Sequence, residues 1–346
     1  MSNKETAQAA DSPSEGTATI RGSSGLVSRI LARRELGVFL GFLVLVGLIA
    51  VTRPDLFFNW DTISGVFSRL LRQVSSYIII GVGMTYLIVG GEFDLSVGSM
   101  FAVGGIVFAI LLGDGYSVLL AVPAVIVLGA VIGAANGAIV TKAGVPSLIA
   151  TIGMLSVLRG LAFFLTPGGS RSVNDDANFV GLFGGSHTIA GIEITNQVFW
   201  AIGVLILFGV LLQKTRFGYH VYAVGDDEQA ASNAGINTDR VKITNFMLAA
   251  ALSGFAGILS VTYFGTMFGT AGAGFELLVI AAVVIGGTNL FGGEGSLLGT
   301  FLGALVIGII PILLILNGLA VEIQELLTGV VIIAAVLVDI FVRKQG

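Results

Sequence analysis

The sequence predicts an all-α polytopic membrane protein of about ten transmembrane helices, some of them short and interrupted by glycine. Three observations carry that prediction. Hydrophobic residues make up 55% of the 346 and charged residues only 11%, apolar stretches recur along the whole chain, and 50 glycines are distributed through it. Glycine lets helices approach closely in lipid, where no hydrophobic effect drives them together. At about 20 residues per span, the length leaves no room for a large soluble domain, which disfavours a fused enzyme. The absence of cysteine excludes disulfides and thiolate metal sites, and a net charge of −4 argues against a nucleic-acid partner.

Residues 1–28 are rich in Ser, Thr, Gly, Ala, Asp and Glu without periodicity, which predicts a disordered cytoplasmic tail ahead of a membrane domain at 29–346. Arg29, Arg33 and Arg34 precede the apolar run Leu36 to Val51, which reads as a signal-peptide core or a first anchor; its length and the further apolar runs behind it favour the anchor. Trp60, Ile63, Val66, Phe67, Leu70 and Leu71 recur at helical spacing with Arg69 and Arg72 off the stripe. This predicts a helix lying in the membrane interface, or else the first turns of the second span. Further spans are predicted at 74–89, 97–113, 117–140, 147–165, 198–212, 246–264, 275–286, 297–316 and 323–341. With an inside N-terminus, the inside segments hold Lys4, Arg21, Arg29, Arg33, Arg34, Lys142, Lys214, Arg216, Arg240, Lys242, Arg343 and Lys344, while only Arg53, Arg69, Arg72 and Arg171 lie outside. That bias predicts both termini in the cytoplasm, an external loop at 166–197 and a cytoplasmic loop at 213–243.

Two glycine-flanked breaks interrupt the apolar pattern. The first, Gly90 to Ser99, carries Glu92, Asp94 and Ser96; the second, Gly286 to Ser296, carries Thr288 and Asn289. Both begin Gly-Gly and end Gly-Ser. Charge and non-helical backbone at membrane depth are tolerated only beside other protein or a water-filled cavity, so paired breaks point to a transport path. A polar turn at the cytoplasmic surface explains the first equally well, and a shared need for positive φ would explain the resemblance between them. Arg159, some twelve residues into its span, is expected near mid-bilayer. There it would line a solute path, pair with Asp94 or Glu276, or snorkel to the interface. Glu276 opens a short span, where a carboxylate also complements the helix N-terminus. Asp339 precedes Arg343 by four residues and would fix the end of the last helix.

In the charged loop, Asp226 and Asp227 are placed to cap a short helix through Gln229–Ala234 that Gly235 ends with a left-handed turn. Such a helix is too polar for lipid. It suits docking into a groove on another protein, or serves as a solvated connector. No Gly-Lys dipeptide occurs, so there is no phosphate loop and the chain does not hydrolyse ATP; His187 and His220, its two histidines, lie far apart, which leaves neither a metal site nor a His-based triad.

These residues carry a resemblance that covers roughly 35–342. Gly91 through Ser99 is similar to the Gly-Gly-x-Asp-Leu-Ser-Val-Gly-Ser tract of ribose-type permeases of ATP-binding-cassette sugar importers, in the branched-chain amino acid/ribose permease superfamily, with Glu92 at the second glycine. Pro146 through Met154 resembles their Pro-x-x-Ile-Ala-Thr-x-Gly-Met tract, and Glu276 through Thr288 a third block. Gln229-Ala230-Ala231 and Gly235 are spaced like the Glu-Ala-Ala-x-x-x-Gly signature of importers, with Gln229 replacing the glutamate. Tyr219 and Glu294 stand where family members often have arginine, which makes that surface less basic.

The resemblance implies a cofactor-free plasma-membrane permease for a monosaccharide or related polar solute, paired with a second permease subunit in a homodimer or heterodimer. It also implies an external sugar-binding protein that delivers the solute and cytoplasmic ATP-binding subunits that dock at Asp227, Gln229, Ala230, Ala231 and Gly235. The rival class is an ion-coupled secondary carrier using Glu92, Asp94 and Arg159. The short helix counts against it, because a self-sufficient carrier needs no docking element. A membrane scaffold without transport is disfavoured by the paired breaks.

Overall fold

The computed structural model describes residues 34–173 and 180–320, with a few isolated positions between 323 and 333. The expected tail, most of the expected last span and the Asp339–Arg343 pair lie outside the described residues. Among the described residues nine helices follow the expected spans: α1 (Arg34–Thr52), α2 (Trp60–Val89), α3 (Val97–Gly113), α4 (Val118–Ala143), α5 (Ser147–Leu165), α7 (Asn196–Lys214), α10 (Thr238–Phe264), α11 (Phe275–Ile285) and α12 (Leu297–Leu316). Seven are long and apolar enough to cross a membrane, and α3 and α11 are shorter apolar helices.

The expected interfacial helix does not exist as a separate element. Asn59 caps a single 30-residue helix, accepting from the backbone N–H groups of Asp61 and Thr62, and α2 runs unbroken from Trp60 to Val89. The apolar stripe at Trp60–Leu71 therefore belongs to the first turns of the second span. It continues straight into Val74–Val89, so no breaker separates the two.

Burial sorts the helices. Over their most apolar windows α2 is 83% and α10 72% buried, whereas α5 and α7 are 17% and α1 is 6%. The centre of the bundle is thus α2 and α10, and the outer helices present Val44, Ile149, Val157, Phe164 and Ile206 outward, as lipid-facing surfaces do. Glycine sets the spacing at the centre. A Cβ at Gly129, Gly133 or Gly137, four residues apart on α4, would stand 2.7, 2.2 and 2.7 Å from backbone atoms of α10. No larger residue fits there at the present separation.

Small elements close the two ends of the bundle. At one end the strand β1 (Ser170–Ser172) pairs antiparallel with β4 (Thr266–Phe268), and β2 (Ser186–Ile189) forms a hairpin with β3 (Ile192–Thr195) beside the one-turn helix α6 (Val180–Gly184). Ala190 and Gly191 form the hairpin turn with φ of 51° and 80°, the geometry that twists with the strands. At the other end α8 (Arg216–Asp226) and α9 (Glu228–Asn233) follow α7, and Lys142 pairs with Asp239. We call these the hairpin end and the charged-loop end.

Candidate functional site

The first break is built at the charged-loop end by a helix terminus with defined chemistry. Gly91 N–H donates to the Ile88 carbonyl and Glu92 N–H to the Leu87 carbonyl, both at 2.9 Å, with Gly91 at φ 81°. This is a Schellman C-cap, in which the left-handed residue is glycine because a side chain there is strained. The second break ends α11 the same way: Gly287 N–H donates to Val284 and Thr288 N–H to Val283, with Gly287 at φ 93°.

The preceding glycine of each pair has a different job. Gly90 and Gly286 have negative φ, but a Cβ on Gly90 would lie 2.7 Å from Asn245 Nδ2 and one on Gly286 would lie 2.3 Å from the Gly299 backbone. Shared turn geometry explains one glycine of each pair, and close packing explains the other. The Gly-Ser ends do not correspond. Ser296 caps α12 by accepting from Gly299 N–H, whereas Ser99 lies inside α3.

Asp94 closes the first break and is fully buried. Its Oδ1 accepts from the backbone N–H of Ser96 at 2.7 Å and from the Ser96 hydroxyl at 2.5 Å, and Asn136 Nδ2 donates to Oδ2 at 3.3 Å and to Ser96 Oγ at 3.1 Å. A second amide, Asn245 Nδ2, donates to the Tyr86 carbonyl in the last turn of α2. Asn136 lies seven residues before the end of α4 and Asn245 seven after the start of α10. At 1.5 Å per residue the break is therefore recessed roughly 10 Å from those helix ends. Glu92 points the other way, into an ion pair with Lys242 Nζ at 2.9 Å, and the same ammonium meets Glu228 at 2.7 Å.

Thr288 is fully buried, and Asn289 Oδ1 accepts from Phe291 N–H to hold the second turn. Gly293 N–H donates to the carbonyl of Val89, the last residue of α2, so the two breaks are bonded directly. Gly225 of α8 fits against both: a Cβ there would be 1.7 Å from Val89 O and 2.7 Å from Gly293 N. Tyr222 of the same helix donates its hydroxyl to Gly295 O at 2.8 Å.

Arg159 and Glu276 lie apart from this junction. Arg159 Nη1 donates to the carbonyls of Gly269 and Ala271 at 2.9 and 2.7 Å, bracing the non-helical backbone ahead of α11. An ion pair with Asp94 or Glu276 does not form, because these carbonyls take the guanidinium. Glu276 sits in the first turn of α11 against Gly98, whose missing side chain leaves it room. The seven path candidates thus fall into three groups and form no single pocket.

The loop helix appears as α9. Asp227 Oδ1 accepts from Ala230 N–H at 2.9 Å, Gly235 turns at φ 85°, and Ile236 N–H returns to the Ala231 carbonyl. Ala231 is buried and anchors the helix, while Gln229, Ala230 and Gly235 are exposed. Asp226 ends α8 and does not cap α9.

A cavity of about 330 Å³ lies between α2, α3, α7, α10, α11 and α12 and opens toward the hairpin end. Its polar lining is Arg69, Arg72, Gln73, Ser76, Tyr77, Gln197 and Ser260, above Phe101 and Phe275. Arg72 is held by the Tyr263 hydroxyl at 2.8 Å and stacks 4.7 Å above that ring. Phe275 meets Tyr77 edge-on at 5.2 Å and Phe101 at 5.1 Å, which closes the inner end with aromatic surface. A signal for it existed in the sequence: Arg69, Arg72, Gln73 and Ser76 are spaced 0, 3, 4 and 7, a polar stripe on one helix face.

The family described as "Branched-chain amino acid transport system / permease component" matches residues 66–336. The chain is 38% identical over 303 residues to the ribose import permease protein RbsC of Escherichia coli (strain K12), covering 87% of this chain and 92% of that protein. It is 34% identical over 334 residues to the L-arabinose ABC transporter permease protein AraH of Azospirillum brasilense, covering 96% and 95%. The fructose import permease protein FrcC of Rhizobium meliloti is 32% identical over 279 residues, covering 80% and 78%. No solved structure matches.

Proposed function

Because this chain belongs to the branched-chain amino acid transport system / permease component family, we propose that it is the membrane-spanning subunit of an ATP-binding-cassette importer for a monosaccharide or related polar solute. It catalyses no reaction itself. In this reading an external binding protein delivers the solute at the hairpin end, the charged-loop end faces the cytoplasm of a cell whose plasma membrane holds the protein, and both termini are cytoplasmic. A second permease subunit, identical or homologous, completes the path.

The observation that carries the reading is α9, a short helix capped by Asp227, anchored by Ala231 and exposed along Gln229 and Ala230. A carrier driven by its own ion gradient has no use for such a helix, whereas a separate ATPase needs one. We assign Asp227, Gln229, Ala230, Ala231 and Gly235 to docking. The solute path runs through the cavity lined by Arg72, Gln73, Ser76 and Tyr77, with Glu276 next in sequence to Phe275 of its inner end and Arg159 bracing the backbone ahead of α11. Its volume falls in the range of small-molecule pockets, roughly 300–1,000 Å³, and its mix of donors and ring faces suits a hydroxylated ring.

Sealed vesicles test this. Uptake is expected to require internal ATP and the ATPase subunits and to ignore ionophores. Uptake by this chain alone, driven by a proton or sodium gradient, would replace the importer with the carrier.

A further inference from the structure

The charged-loop end joins parts of the chain that transport must move together. Lys242 lies on α10, Glu92 on the first break and Glu228 at the start of α9, and one ammonium holds both carboxylates, at 2.9 and 2.7 Å. Lys242 and Glu92 are nearly buried, with side chains 13% and 11% exposed, so this link is shielded from water and salt in a way a surface pair is not. Beneath it, Gly225 allows α8 to seat directly on Val89 and Gly293, and Gly293 N–H binds the Val89 carbonyl. The end of α2 and the second break thus share one backbone seat on α8, and the Lys242 ammonium adds a link from α9, which follows α8 in the chain, to the first break.

We propose that Lys242 and Gly225 form the linkage through which displacement of α8–α9 by a docked ATPase reaches both breaks as one unit. The inference rests on the importer reading above. Lys242 is a positioning residue: it touches neither solute nor nucleotide, and its role is to keep α9 and the Gly91–Asp94 turn in step. Gly225 makes the seat rigid, because any side chain there would separate α8 from the end of α2 and from Gly293 in the second break.

The test uses the full permease reconstituted with its ATPase and binding protein, reading three quantities: ATPase co-purification, ATP hydrolysis and solute moved per ATP hydrolysed. Lys242→Gln is expected to leave the first two near wild type and to lower the third about tenfold, toward the lower end of the range for coupling between sites. Lys242→Arg, which can still reach both carboxylates, should recover most of it. Glu92→Gln combined with Lys242→Gln should be no worse than Lys242→Gln alone, since both cut one link. If Lys242→Gln fails to accumulate in the membrane, Glu228→Gln on the half-exposed side of the triad provides the same readout.

An unchanged ratio of solute to ATP overturns the proposal. Loss of ATPase binding overturns it as well, because it makes Lys242 a docking residue. Failure of the importer reading looks different: wild-type chain would then take up solute without ATPase or ATP.

Discussion

The two breaks share a backbone geometry and differ in what closes it. Each ends its helix with a glycine at positive φ and paired returns to the carbonyls of the last turn. The first is then filled by side chains, with Asp94 accepting from Ser96 and Asn136, and Glu92 bound to Lys242. The second is filled mainly by main chain, Gly286 against Gly299 and Gly293 against Asp226, with the Asn289 side chain holding the turn. Side chains that bond one another can be altered without moving a helix. Backbone in contact with backbone cannot, so the first break is the adjustable one and the second its fixed counterpart.

The sharpest test of that contrast is Asp94→Leu. It strands the Ser96 N–H and the Ser96 hydroxyl, at about 1–3 kcal/mol for each buried group left unpaired, and leaves the Asn136 amide only Ser96 Oγ as acceptor. Membrane abundance and uptake should both collapse. Asp94→Asn keeps an acceptor oxygen and should retain partial uptake at normal abundance. If the Asn variant is as inactive as the Leu variant while equally abundant as wild type, Asp94 titrates during transport and the carrier reading returns.

Gly286→Ala comes next, at about 2–3 kcal/mol, since its Cβ meets backbone that has no rotamer to change. Gly90→Ala meets the movable Asn245 amide at 2.7 Å, with backbone oxygen no nearer than 3.2 Å, and should cost about 1 kcal/mol. Thermal unfolding of the two purified variants ranks them, and a larger loss for Gly90→Ala would reverse the assignment of fixed and adjustable breaks.

Gly235→Val leaves both breaks untouched. Nothing lies within 4 Å of its Cβ, so the penalty is conformational, about 1–2 kcal/mol at φ 85°. Reduced co-purification of the ATPase with an intact membrane fold is the expected result; full binding with unchanged transport would remove Gly235 from the docking surface.

Much of the fold was legible because lipid enforces long apolar runs. The expected spans at 97–113, 147–165 and 297–316 coincide with Val97–Gly113, Ser147–Leu165 and Leu297–Leu316. What failed depended on partners. Arg69 and Arg72, which lie off the apolar stripe of the expected interfacial helix, line with Gln73 and Ser76 a cavity that α3, α7, α10, α11 and α12 complete. The helix Arg216–Asp226 falls within the expected charged loop, because its buried Val221 and Val224 are too few to form a pattern. Asn136, Asn245 and Gly225 are ordinary residues in sequence. Their importance arises when Asp94, Tyr86 and Val89 are brought to them.

The bracing of residues 269–271 by Arg159 bears on how the protein enters the membrane during synthesis. An 11-residue helix is about 16 Å long, half the thickness of the hydrocarbon core, so α11 cannot cross alone. The approach to it, residues 269–274, is turn backbone, whose free carbonyls would be unsatisfied in lipid. Arg159, on the earlier helix α5, supplies the donor for two of these carbonyls. The 266–285 segment therefore does not partition into lipid as an independent span. It depends on a helix far earlier in the chain, and a chain lacking Arg159 loses the donor that the Gly269 and Ala271 carbonyls share.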